Sequence, residues 1–257
     1  MIESCRHMAS SSNPASVRTS IFGDQSLVGN DVDLAILSLV NADCVCFDVD
    51  STVINEEGID VLADSLGKGE QVAELTKAAM EGGMKFQDAL AARLDLLQPS
   101  RQDILNCQQQ HPLELTSGVA GFIESLHANN VDVYLVSGGF RIMIEPVAEI
   151  LNIPVTNIVA NTIRFDKDGK YVDFDPDEPT SQDMGKPKAL TNIQAIGAYK
   201  TMVMIGDGAT DAQAKPPAST FVGFGGVVIR SAVQEKADWF VTDFADLQKV
   251  MEYREVA

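Results

Sequence analysis

Two aspartates, Asp48 and Asp50, flank Val49 at the end of the apolar run CVCF. From a strand end both carboxylates can project toward one cavity, where two close anions are costly unless a cation neutralises them or one binds a proton. Asp207 ends a second apolar run, TMVMIG, and Asp211 lies in the turn after it. Four acids meeting at one sheet edge call for a hard divalent metal with oxygen ligands, and Mg²⁺ is the usual occupant when phosphate binds beside it. Taken singly, each Asp reads as an ordinary loop or helix-start carboxylate; the conjunction does not.

Donors for an anion occur at corresponding places. Ser137, Gly138 and Gly139 follow a third apolar run and offer a hydroxyl and open backbone N–H groups at a strand-to-helix junction. Lys186, in GKPK, precedes a helix that opens around Pro187, so its ammonium can reach the same edge. A carboxylate attacks phosphorus once charge is drawn from the phosphoryl oxygens, and a second acid two positions on can protonate the leaving oxygen and then accept a proton from water.

The elements that must position these groups are legible as periodicity. The runs 44–49, 131–137 and 201–206 suit strands buried on both faces, and amphipathic helices precede the second and third. That alternation predicts an α/β fold with a Rossmann-like, mostly parallel sheet flanked by helices, with chemistry at the carboxyl ends of the strands. Residues 55–114 are mostly helical in pattern and exceed what one crossover needs, which predicts an inserted helical cap domain. The core domain is then 31–54 with 115–257, and residues 1–30, rich in Ser, Ala and Asn, read as a mobile arm. The segment NTIRFDKDGKYVDFD predicts a hairpin about its Asp-Gly turn, and Trp239 with Phe240 a strand at the sheet edge.

Composition limits the partners. The chain of 257 residues carries 37 acidic and 19 basic side chains, a formal charge of −18, and 45% hydrophobic residues. A full core can be buried, and the negative field disfavours nucleic acid and anionic membrane. The four cysteines, Cys5, Cys44, Cys46 and Cys107, lack zinc or disulfide-framework spacing. A cytoplasmic location is expected, with a plastid or other organelle as the alternative if the arm derives from a transit peptide.

The stretches FDVDSTV, SGGFR, GKPK and GDGATD, in that order, resemble the haloacid dehalogenase superfamily of phosphotransferases, and the similarity runs from about Asn41 nearly to the C-terminus. Further stretches, CFDVDSTVINEEGID, AAMEGG and FQDALAARL, resemble the branch of that superfamily that acts on phosphoserine. The resemblance implies Mg²⁺-dependent hydrolysis of O-phospho-L-serine to L-serine and phosphate through an aspartyl phosphate, the last step of serine biosynthesis. It implies Asp48 as nucleophile and Asp50 as general acid and then base, with Mg²⁺ held by Asp48, the backbone carbonyl of Asp50 and Asp207, and Asp211 in support. Ser137, Gly138 and Lys186 would hold the phosphoryl group and Thr210 would sit beside it. In the cap, Glu57 would meet the substrate ammonium, Arg93 its carboxylate and Met80 its apolar side. The partner implied is the small-molecule substrate, with a homodimer allowed. Two other readings are a related phosphomonoesterase or phosphotransferase with another alcohol as substrate, and a phospho-accepting signalling receiver. The chain departs from the pattern at Asp183, Met184, Gly185 and Lys186, where the family usually has a Gly-Gly-Lys run, and at Glu81, where a glycine is common.

Overall fold

The computed structural model describes residues 13–256; the side chains of residues 80–82, 255 and 256 lie outside that description. Its strands are β1 Cys44–Phe47, β2 Asp132–Phe140, β3 Ile158–Asn161, β4 Ile163–Phe165, β5 Tyr171–Phe174, β6 Met202–Gly206, β7 Thr220–Phe224 and β8 Trp239–Val241. Six of them form one parallel sheet in the order β3-β2-β1-β6-β7-β8. All four residues of β1 are buried, because a central parallel strand has helices on both faces. Val45 and Phe47 enter one apolar cluster, and Cys44 and Cys46 the other. The first three strands run outward from β1 on one side and the last three on the other. The switch between β1 and β6 therefore opens a crevice at their carboxyl ends.

After β1 the chain leaves the sheet for four helices, Gly58–Ser65, Gly69–Gly82, Phe86–Leu97 and Arg101–Gln110. Ser100 and Asp103 open the last of these with a reciprocal capping box. The chain leaves and returns at one place: Ile54 bridges Leu115, and Asn55 N–H donates to Glu114 O at 3.0 Å. The cap does not complete its own core. Leu62, Leu90, Leu94 and Ile104 pack with Phe140 and Met143 from the sheet side and with Ile163 and Phe174 from the β4–β5 hairpin. Arg101 N–H donates to Gly169 O at 2.8 Å, and the Arg101 guanidinium lies 4.8 Å from the centre of the Phe165 ring. Four short helices bury little apolar surface alone, so the hairpin shares their core although it falls outside the expected insertion.

The expectation of a mobile arm over residues 1–30 needs correction from residue 13 onward; residues 1–12 lie outside the described ones. Pro14–Phe22 is a helix, opened by the Asn13 side chain accepting from Ala15 N–H and by a proline in its first turn. Val17 and Phe22 are buried, Phe22 meets Trp239 edge-on with ring centres 5.6 Å apart, and Arg18 pairs with Asp33 at 2.7 Å. Burial of two such side chains contributes about 1.5–3 kcal/mol each, which a solvated arm would forgo. Beyond the helix, Phe240 N–H donates to Val28 O at 2.7 Å, so this segment also covers the outer edge of β8. Among the described residues, no helix is long and apolar enough to cross a membrane.

Candidate active site

Strand register brings the acids together. Phe47 pairs with Leu135 on one side and Ile205 on the other, so Asp48 emerges level with Val136 and Gly206, and Asp207 follows one residue later. Asp48 N–H still donates to Ile205 O at 2.9 Å, which fixes its backbone before the chain turns away. Oxygens of Asp48, Asp207 and Asp211 lie within 4.8 Å of one another, and all three residues are buried.

A lysine ammonium is set among them. Lys186, at the start of the helix Gly185–Gly197, places Nζ 2.8 Å from Asp48 Oδ1 and 2.5 Å from Asp211 Oδ1. Burial alone would drive this ammonium toward its neutral form, but Asp211 and Asp48 outweigh it and push the lysine pKa up. Lys186 is therefore a fixed positive charge at the strand ends.

Asp50 occupies a different environment two residues from Asp48. Gly58 N–H donates to its Oδ1 at 2.6 Å, and the Ser137 hydroxyl donates to its Oδ2 at 3.1 Å while accepting from Gly139 N–H at 2.8 Å. Desolvation, then the charges of Glu57 and Asp48, push the Asp50 carboxyl up to about 7. One aspartate is thus held beside an ammonium and the other can carry a proton near neutrality, the split an acid and a nucleophile require.

Arg230 is a participant that sequence reasoning missed. It follows the Gly-rich segment after β7, and its guanidinium lies against Asp207 Oδ2 and donates to Asp207 O at 3.0 Å. It also approaches Glu57 Oε1 at 3.7 Å, while the Ser51 hydroxyl donates to that oxygen at 2.8 Å. Burial raises the Glu57 pKa, against Ser51 and Arg230, which lower it. The one available signal was a lone arginine ending an apolar stretch that returns to the sheet's carboxyl edge.

These groups border one cavity of about 510 Å³. Asp48, Asp50, Gly138, Lys186, Asp207 and Thr210 line its sheet side, and Glu57 and Arg93 its cap side. Ser137 and Asp211 are fully buried behind that lining. Met80 falls on the helix Gly69–Gly82, but its side chain lies outside the described residues. Arg93 Nε donates to Ala89 O at 3.1 Å; burial lowers its pKa, and Asp60 and Glu57 offset part of that. Phe86 closes over Gly138 so tightly that a Cβ at this glycine would stand 2.9 Å from the ring's Cζ.

The donor set suits a hard divalent cation: the carboxylates of Asp48, Asp207 and Asp211 gather in a small buried volume, although Asp207 Oδ2 is paired here with the Arg230 guanidinium. Beside it, the Lys186 ammonium and the glycine backbone suit an oxyanion, while the Ser137 hydroxyl behind them donates to Asp50. An anionic phosphorus centre between the two would face Asp48 as nucleophile and Asp50 as acid.

A parallel sheet with such a site at its β1/β6 switch and a helical cap above defines a phosphoryl-transfer enzyme, and the chain belongs to the haloacid dehalogenase-like hydrolase family, whose model matches residues 42–214. Within it, the similarity is to phosphoserine phosphatases. The chain is 48% identical over 212 residues to the phosphoserine phosphatase of Bos taurus, covering 82% of this chain and 94% of that one. A solved substrate-bound phosphoserine phosphatase superposes with a TM-score of 0.70 at 29% identity, covering 82% of this chain and 98% of the other. The structure described as DsGPDH of Dunaliella salina gives a TM-score of 0.75 at 33% identity, with 86% of this chain matching 38% of that longer one.

Proposed function

We propose that this protein hydrolyses O-phospho-L-serine to L-serine and phosphate, the closing step of serine biosynthesis, through an aspartyl phosphate on Asp48. The observation that carries the reading is the contrast between Asp48, 2.8 Å from the Lys186 ammonium, and Asp50, whose carboxyl is pushed up to about 7. Asp48 attacks phosphorus, the bond from phosphorus to the seryl oxygen breaks, and the Asp50 proton passes to that oxygen. Water then attacks the phosphorus of the aspartyl phosphate and gives a proton to Asp50, which releases phosphate and restores Asp48. Ser137, Gly138 and Lys186 hold the phosphoryl oxygens, with Thr210 beside them. Asp48, Asp207 and the Asp50 carbonyl, supported by Asp211, fit Mg²⁺, which when bound draws charge from those oxygens.

Glu57 and Arg93 stand on the cap side of the cavity as an anion and a cation, which suits the ammonium and the carboxylate of an amino acid. Met80 is proposed to line the apolar side of the same pocket. The partner is this small molecule, with neither nucleic acid nor membrane involved and a homodimer allowed. The compartment we assign is the cytoplasm, with a plastid or other organelle as the alternative if the N-terminal segment derives from a transit peptide.

The test is phosphate release from L-phosphoserine with Mg²⁺, with a chelator, and with Mg²⁺ restored. Release that depends on added Mg²⁺ and exceeds that from phosphothreonine and phosphohomoserine supports the reading. Equal rates on all three would reassign the enzyme to a general phosphomonoesterase, and a long-lived phospho-Asp48 would point to a receiver.

A further inference from the structure

We propose that Asp183 is a positioning residue for substrate choice, because it caps in trans the cap-domain helix that carries Arg93. The inference rests on the assignment of phosphoserine as substrate. Asp183 lies on the sheet domain, three residues before Lys186, and its Oδ1 accepts from Phe86 N–H at 2.8 Å. Its own N–H donates to Gln87 Oε1 at 3.3 Å. Phe86 and Gln87 begin the helix Phe86–Leu97, and the residue at its N-cap, Lys85, supplies no side-chain hydrogen bond. The first-turn N–H groups of a helix have no partner within it, and its N-terminal dipole favours a carboxylate. Asp183 supplies both from another domain.

The same helix turns one face to the cavity through Phe86, Leu90 and Arg93. Arg93 is two turns from the capped end, about 10 Å along the axis, so a tilt of that end displaces the guanidinium. Phe86, held by its own N–H, packs its ring against Gly138 in the phosphoryl site. One side chain thus sets the distance between the group that holds phosphate, Lys186, and the group assigned to the substrate carboxylate.

The experiment compares the full-length wild type with Asp183→Ala and Asp183→Asn, the second retaining an acceptor oxygen. Hydrogen–deuterium exchange over residues 86–89 should quicken at least fivefold in Asp183→Ala and return most of the way in Asp183→Asn. The ratio of kcat/KM for L-phosphoserine to that for phenyl phosphate, which has no carboxylate, should fall about five- to tenfold in Asp183→Ala, through KM. In an Arg93→Ala background the same substitution should change that ratio less than twofold. Unchanged exchange, an unchanged ratio, or a full additive loss beside Arg93→Ala would overturn the proposal. A wild type that cleaves phenyl phosphate but not phosphoserine would instead overturn the substrate assignment, whatever the exchange rates.

Discussion

Lys186 Nζ stands 2.8 Å from Asp48 Oδ1 with only 7% of the lysine side chain exposed, and the same nitrogen reaches Asp211. Three carboxylates in so small and buried a space would repel one another strongly without such a cation. The lysine therefore has two duties: it makes the acid cluster tolerable in the fold, and it fixes the Asp48 carboxylate group at the strand end.

Replacing Asp48 by Asn removes the proposed nucleophile and little volume. The kcat for phosphate release should fall at least about 10³-fold, roughly 4 kcal/mol of transition-state stabilisation, with the circular dichroism spectrum unchanged. Turnover within tenfold of wild type would mean that Asp48 is not the attacking group.

Lys186→Met keeps much of the side-chain length and deletes the charge. Breaking a buried ion pair costs about 3–5 kcal/mol, and for a chain of this size each kcal/mol moves Tm by roughly 2–4 °C. Calorimetry should show a drop of at least about 6 °C in chelator and a smaller one in excess MgCl₂, since a bound cation takes over part of the neutralisation. Equal drops in both conditions would argue against a metal among these carboxylates.

Much of this site was legible because its residues end apolar strands. The runs at 44–49, 131–137 and 201–206 marked β1, β2 and β6, and their carboxyl ends delivered Asp48, Ser137 and, one residue on, Asp207. The sheet's other members were harder. β3 has four residues and no alternation, and β7 contains Gly223, so neither carries a pattern long enough to separate a strand from a loop. The helix Pro14–Phe22 was hidden by its serines and threonine, which suggest a solvated segment until Val17 and Phe22 find a surface to cover. Arg230 was out of reach for a different reason: its partners, Asp207 and Glu57, are far away in the chain, and only the fold brings them to it.

Arg93→Ala should raise KM for L-phosphoserine about 10- to 100-fold, equivalent to roughly 1.4–2.7 kcal/mol and typical of a charge-assisted hydrogen bond. KM for phenyl phosphate should move by less than threefold. Parallel losses on both substrates in steady-state kinetics would assign Arg93 to the stability of the cap instead.

Met184 precedes the Lys186 helix with φ 56° and ψ 29°, a left-handed conformation that costs a non-glycine residue about 1–2 kcal/mol. Met184→Gly removes that strain but adds freedom to the unfolded chain worth roughly 0.5–1 kcal/mol. The net expectation is a Tm higher by about 1–4 °C. A decrease of several degrees would show that the methionine side chain, though exposed, contributes packing that outweighs its backbone conformation.

The bridge between Ile54 and Leu115 has a wider meaning for how such an enzyme diversifies. The chain departs and re-enters at adjacent positions, and because closure entropy grows only as the logarithm of length, each doubling of whatever is spliced between them adds only about 0.6 kcal/mol. Reaction and recognition are to that extent separable along the chain: the strand ends perform one chemistry, while changes between these two residues alter the alcohol the enzyme accepts so long as the packing on Phe140, Met143 and the β4–β5 hairpin is kept.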